Sequence, residues 1–337
     1  MNRRLPSQAG NGAPIVIAHR GASGYRPEHT LAAYRLAAEQ GADFIEPDLV
    51  ITRDGVLVAR HENEIGGTTD IASHRALARR RTEKEIDGAL MTGWFAEDLT
   101  LTELRSLRAR ERIPLLRPDN TAYDGRFTIP TFQEVLDLRE QLSEELGREI
   151  GIYPETKHPT FFRELGLPLE PPLVEALRGA GLDRADAPVF VQSFEPGNLR
   201  ELRATLRAPL IQLIGAAGRP IPGDARPFAA LATAAALRTI AEYADGVGPA
   251  KEHVVPRLPG GASGRPTTFV DDAHAAGLVV HPYTFRRENQ FLPLELRSST
   301  DPAASGDAVA ELRAFYDLGV DGVFSDNPDL AVSARYT

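Results

Sequence analysis

Eight short apolar runs, most of them separated by helical patterns, constrain this sequence more than any other feature. They are Ile15–His19, Phe44–Leu49, Ile150–Glu155, Pro188–Gln192, Pro209–Leu213, Asp245–Gly248, Leu278–Tyr283 and Gly322–Ser325. Between them, Thr30–Gln40 opens on a capping Thr and stops at Gly41. Thr131–Leu146 stops at Gly147, Pro172–Ala180 at Gly181, and Asp307–Leu318 at Gly319. Strands and helices alternating in this way predict an α/β protein, a parallel TIM-type (β/α)8 barrel rather than an open sheet. Length alone, 337 residues, suggests about two domains, but barrels of ~250 residues and more are single domains. The expected organisation is one barrel domain over 1–337 with its core over 15–332.

Two segments interrupt the alternation. Asp54-Gly55 is a hairpin signal, which makes Val56–His61 an extra antiparallel strand folding back over the barrel mouth. Residues 62–126 then form an insertion far longer than the usual 2–6-residue βα loop. It holds the single Trp, in Thr92-Gly-Trp-Phe95, and a helical stretch at Leu101–Arg110. Because it follows His61 directly, it is expected at the C-terminal mouth as a lid or subdomain. Gly215–Pro227, rich in Gly and Pro, reads as a loop.

The chemistry concentrates where strands end. In a parallel β/α protein the carboxyl ends of the strands line the active site, and unpaired buried charge is too expensive to leave there without purpose. Glu46 and Asp48 stand two apart on a strand and share a face, and Glu155 ends another strand. Three carboxylates without Cys or a His-x-x-x-His helix describe an oxygen-ligated hard cation, Ca2+ first and Mg2+ as the alternative, rather than zinc. His19 and His61 are the candidate proton-transfer pair, since a side chain titrating near ~6.5 can give or take a proton at neutral pH. Arg20 offers a planar donor fork to phosphate oxygens and Lys157 a compact charge on the face of Glu155. Glu28 is a supporting residue, able to orient Arg20 or touch the ion. His29, His74, His253 and His274 read as structural, and His158 as pointing away from the site.

Composition excludes several other functions. A net charge of −9 argues against nucleic acid, and the basic stretch Arg75–Lys84 reads as a solvated helix face. Absence of cysteine rules out disulfides, thiolate catalysis and Cys-ligated zinc. No run approaches the ~18 apolar residues of a membrane span, so stable membrane insertion is not expected. Met1–Gly10 has two arginines but no apolar region behind them, which is not a complete signal peptide. A cytoplasmic location is expected for the chain as given, and a periplasmic or secreted one if a signal sequence was removed. Oligomeric state is left open.

The same positions form a pattern that resembles glycerophosphodiester phosphodiesterases, in the long bacterial form with an insertion after the second His. The motifs are His19-Arg20-Gly21, Pro27-Glu28-His29-Thr30, Glu46-x-Asp48, Asp54-Gly55-x-x-Val58-x-x-His61 and Glu155-x-Lys157. Val191-Gln192-Ser193-Phe194, His281-Pro-Tyr-Thr284 and Gly322-Val-Phe-Ser-Asp326 follow in order. One departure is Glu62, where many relatives carry Asp. The resemblance implies that Glu46, Asp48 and Glu155 hold the metal, and that Gln192, Phe194 and Tyr283 line a glycerol pocket. It further implies metal-dependent hydrolysis of small glycerophosphodiesters, such as glycerophosphocholine and glycerophosphoethanolamine, to sn-glycerol 3-phosphate and an alcohol. Which His is acid and which base stays open, as does attack by water or by the glycerol C2 hydroxyl. Two other readings stand beside it: a related phospholipase acting on sphingomyelin or lysophospholipid, and a non-catalytic ligand-binding barrel.

Overall fold

The computed structural model describes residues 12–220 and 226–336. The expectation for Met1–Gly10 therefore lies outside the described residues, as does the middle of Gly215–Pro227, whose described part is irregular. Eight parallel strands form the frame: Ile15–His19, Phe44–Glu46 resuming as Asp48–Ile51, and Gly151–Ile152 resuming as Glu155–Thr156. Val191–Ser193, Leu210–Ile214, Gly246–Pro249, Val279–Val280 and Gly322–Ser325 complete it. The first pairs in parallel with the second and the eighth, and pairing runs from the second through to the seventh. Backbone bonds close the ring between seventh and eighth: Asp321 N–H to Val280 O at 3.0 Å, Phe324 N–H to Pro282 O at 3.1 Å, and Phe285 N–H to Phe324 O at 2.8 Å. The molecule is a (β/α)8 barrel.

Inside the ring, Ile15, Ile17, Phe44, Tyr153, Phe190, Ile211 and Phe324 pack as a closed apolar plug. Tyr153 and Phe324 meet edge to face at 4.9 Å between centroids, and Phe44 stands edge-on to Tyr153 at 6.1 Å. Each such fully buried side chain contributes roughly 1.5–3 kcal/mol. Gly151 is required beside them, because a Cβ there would meet the Phe44 ring at 2.2 Å. Alternate residues of the same strands, Val16, Ala18, Ile45, Ile152, Val189, Val191 and Val323, face outward into the larger core under the helices.

The helices follow the capping chemistry. Thr30 caps Leu31–Glu39, accepting from Ala33 N–H. Thr131 caps Phe132–Leu146 in a capping box with Glu134, and Gly147 ends it in the left-handed conformation at φ 61°. Leu57–Ala59 pairs antiparallel with Asp48–Ile51, as the hairpin signal requires. The insertion departs from expectation in two places. The helix over Leu101–Arg110 stops at Arg105, and Arg75–Lys84 is a short helix, Arg75–Ala78, that gives way to a β-hairpin, Thr82–Ile86 against Ala89–Gly93. The insertion packs on the barrel through Ile65, Ile71, Leu77, Leu99, Leu104 and Leu107, which join the main core. No helix among the described residues is long and apolar enough to cross a membrane.

Candidate active site

The two-residue period that builds the plug also builds the site above it. Ile15 and Ile17 point inward, and His19 is next on that face. Phe44 is followed by Glu46 and Asp48, Tyr153 by Glu155 and Lys157, Phe190 by Gln192, and Phe324 by Asp326. Polar side chains thus cap an apolar plug at the carboxyl end of the strands.

Glu46, Asp48 and Glu155 are all buried, and one oxygen from each lies within 4.8 Å of the others. Glu46 accepts the Arg20 backbone N–H at 2.7 Å on one oxygen and the Gln192 amide at 3.1 Å on the other. Asp48 Oδ2 takes a hydrogen bond from His29 Nε2 at 2.8 Å, while its buried Oδ1 has no hydrogen-bond partner. An all-oxygen set with an orphaned carboxylate oxygen fits a hard divalent cation. Burial first, and then mutual repulsion, push Glu46 well above the usual carboxylate range and Glu155 to about 8. Burial also opposes charge on Asp48, but the Lys157 ammonium and the hydrogen bond from His29 hold it well below that range.

The cations stand opposite. Arg20 adopts φ 61°, a left-handed conformation a side-chain-bearing residue takes only under constraint. That turn lets its N–H reach Glu46 while its guanidinium reaches Glu28 at 2.9 Å and Asp48 at 3.4 Å. Lys157 lies 2.8 Å from Glu155 and 3.9 Å from Asp48, the shared face that its spacing required. Glu28 pairs with Arg20 and Arg112 and is not among the three clustered carboxylates.

The histidines are each fixed by a carboxylate. His19 Nδ1 donates to Asp326 at 2.6 Å and His61 Nδ1 to Glu62 at 2.5 Å. A carboxylate only accepts, so the proton sits on Nδ1 and Nε2 is left free in both rings. Burial, then neighbouring cations, lower His19 to about 4 and His61 to about 3, so both are neutral bases at pH 7.

One cavity of about 480 Å3 gathers His19, His61, Arg20, Glu46 and Glu155 with Gln192, Phe194 and Tyr283. Asp48 is buried beneath it. Lys157 borders an adjoining cavity shared with His61, Glu155 and Phe194, and its ammonium lies 5.6 Å from the Phe194 ring centre. His158 also lines that second cavity, bonded to Asp87 of the insertion hairpin at 2.5 Å, and so does not point away. His29 was read as structural and is buried, but it bridges Tyr34 and Asp48 and fixes the orientation of that carboxylate. Sequence reasoning gave no role to Asp326, although it lies two past Phe324 on an inward face. Arg112, Arg117 and Arg286, which reach Glu28, Glu62 and Asp326, carried no sequence signal.

Known proteins resemble this chain in sequence and in fold. The model of the glycerophosphoryl diester phosphodiesterase family matches residues 19–330. A glycerophosphodiester phosphodiesterase of Arabidopsis thaliana is 36% identical over 343 residues, covering 96% of this chain and 88% of that protein. One from Haemophilus influenzae is 30% identical over 345 residues, covering 94% and 88%. Among solved structures, one from Silicibacter pomeroyi superposes with a TM-score of 0.70 at 20% identity, covering 98% of this chain and 95% of that one. A phosphodiesterase of Oleispira antarctica, solved with its product sn-glycerol-3-phosphate, gives 0.62 at 24%, covering 96% of each. The chain belongs to the glycerophosphoryl diester phosphodiesterase family.

Proposed function

We propose that this chain is a metal-dependent phosphodiesterase that cleaves small glycerophosphodiesters to sn-glycerol 3-phosphate and an alcohol. The observation that carries this reading is the meeting, at one cavity, of two carboxylate-oriented histidines, an arginine, and Glu46 and Glu155 of a buried three-carboxylate cluster completed by Asp48. Glu46, Asp48 and Glu155 would hold the cation, which when bound supplies Lewis-acid polarisation of a phosphoryl oxygen and of the attacking hydroxyl. Arg20 and Lys157 neutralise the phosphodiester charge and stabilise the more highly charged transition state. His19 and His61 present free Nε2 atoms: one takes the attacker's proton and releases it to solvent after turnover, and the other, protonated from solvent when the anionic diester lies beside it, gives its proton to the leaving oxygen. Phe194 and Tyr283 give the cavity an apolar wall against which a glycerol backbone packs, while Gln192 steadies Glu46.

A second reading, hydrolysis of a lysophospholipid or sphingomyelin, draws on a separate observation. Leu115, Leu258 and Leu294 are 91%, 48% and 55% exposed, and each lies within a few residues of a residue lining the cavities at the mouth. The test is a substrate panel of glycerophosphocholine, glycerophosphoethanolamine, lysophosphatidylcholine and sphingomyelin, assayed with chelator and then with Ca2+, Mg2+ or Mn2+ restored. Cation-dependent release of sn-glycerol 3-phosphate from the first two is expected. Turnover confined to the lipids would transfer the assignment to the second reading, and undiminished activity in chelator would remove the cation from it.

A further inference from the structure

Two arginines of the insertion, five positions apart, each reach the carboxylate that holds one of the two histidines. Arg112 bonds both oxygens of Glu62, at 2.9 and 2.6 Å, and Glu62 accepts from His61 Nδ1. Arg117 donates to Asp326 Oδ2 at 2.6 Å, and the other oxygen of Asp326 accepts from His19 Nδ1. Neither arginine is a chance surface contact. Arg117 is buried and spans Glu288 at 2.5 Å and the Ser23 carbonyl at 2.9 Å, while Arg112 also takes both oxygens of Glu28. The segment carrying them is tied down at Glu111, which accepts from Asn120 at 2.8 Å and from the Ile113 N–H at 2.9 Å.

A carboxylate beside an imidazole can turn about its own bonds, and the imidazole turns with it. Arg112 grips Glu62 with a guanidinium fork, whose two parallel N–H bonds define a direction as well as a distance. At Asp326 single N–H bonds from Arg117 and, at 2.8 Å, from Arg286 pin Oδ2 and leave Oδ1 to His19. We infer that Arg112 and Arg117 are positioning residues for the reaction: through Glu62 and Asp326 they set the tautomer and ring orientation of His61 and His19. The insertion is on this account part of the proton-transfer apparatus and not only a cover over it. The inference rests on the reading of His19 and His61 as the proton-transfer pair, and the test separates the two.

The experiment is steady-state kinetics on Arg112→Ala, Arg112→Lys, Arg117→Ala and Arg117→Lys, each alone and combined with the alanine variant of its own histidine. Loss of a group that orients a functional ligand from behind costs about 10–100-fold. A fall of that order in kcat is expected for both alanine variants, with KM little changed and partial recovery on adding guanidinium ion. Lysine, a point charge, should restore less than guanidinium does. Residues that act through one another are not additive, so Arg112→Ala should add nothing in the His61→Ala protein, nor Arg117→Ala in His19→Ala. In 15N-labelled protein each arginine variant should weaken the Nδ1-protonated signature of its own histidine and spare the other. Should Arg117→Ala fail to fold, Arg117→Lys and the half-buried Arg112 carry the test. If His19→Ala and His61→Ala keep full activity, the proton-transfer reading fails. If those variants are inactive but the arginine variants keep wild-type kcat, the inference fails alone. It fails too if the arginine losses are undiminished without the histidine, as they would be were Arg112 acting through Glu28 and Arg20.

Discussion

Asp326 shows how much single residues carry here, since it accepts from His19, Arg117 and Arg286 at once. Burial alone would raise its pKa, but Arg286, Arg117 and His19 hold it well below the carboxylate range. A depressed folded-state value means stability that is present above the unfolded pKa of ~3.8 and is lost as pH falls through the folded value. Asp326→Asn leaves the buried Arg117 and the half-buried Arg286 short of an anion, so urea unfolding at pH 7 should show a loss of about 3–5 kcal/mol. The gap between wild type and variant should narrow as pH falls below ~4; a gap that does not change with pH would mean that packing, not charge, is what Asp326 supplies. His29 offers a second test. It is the donor to Asp48 Oδ2, so His29→Ala should weaken cation binding, measured by calorimetry, by about 10–100-fold with the fold kept. Most of this site was legible because strand period carries inward-facing residues upward from an apolar plug: His19, Glu46, Asp48, Glu155 and Lys157 all continue such rows. Asp326 obeys the same rule and could have been assigned by it. Arg112 and Arg117 could not, for they lie in irregular chain and meet their partners across 50 and 209 positions.

At the scale of elements, the insertion hairpin bounds the cavity beside Lys157. Its turn residues Asp87 and Gly88 take φ 51° and 80°, the two positive values of a type I′ turn, and Asp87 holds His158 at that cavity's wall. Replacing 83–92 by a two-residue turn between the paired Thr82 and Gly93 should open this flank. The ratio of kcat/KM for a bulky alcohol ester over a small chromogenic diester is then expected to rise severalfold, with kcat on the small ester little changed. An unchanged ratio with a lower Tm would reduce the hairpin to a structural role. The same Asp-Gly signal was read correctly at Asp54-Gly55, where apolar Val56–Val58 follows, and passed over at Asp87-Gly88, where Thr82-Glu-Lys-Glu-Ile86 is too charged to read as a strand. The helix expected over Leu101–Arg110 stops early for a tertiary reason. Ala109 donates to Phe127 O at 2.8 Å and Arg108 N–H to Asp70 at 2.7 Å, so distant chain takes the bonds a further turn would have used. Barrel strands were legible because each buries a full apolar run, whereas the insertion gains its order from pairings far apart in sequence.

For the whole molecule, the three-carboxylate cluster is a place where the fold gives up stability. Glu46 sits at the second strand with Asp48 and Glu155 close by, in the layer directly above the apolar plug that closes the barrel. Its carboxyl is pushed well above the usual range by burial and by those two neighbours, so its charged form destabilises the folded state. Removing that charge should therefore stabilise the cation-free barrel, as deletions of strained functional groups commonly do. A cation that binds the folded state alone adds RT ln(1 + [L]/Kd), about 2.7 kcal/mol at a hundredfold excess over Kd. For a chain of this size that corresponds to a Tm rise of ~4 °C. Thermal unfolding of wild type and Glu46→Gln, each in chelator and in saturating Ca2+ or Mg2+, measures both effects in one cooperative transition. In chelator the variant should melt at or above the wild-type temperature; on adding the cation wild type should gain several degrees and the variant little. The order of the two proteins would then reverse between the two conditions. A variant that melts below wild type in chelator and gains as much from the cation would show that Glu46 is a structural carboxylate, satisfied by Arg20 and Gln192, and would take it out of the cation site.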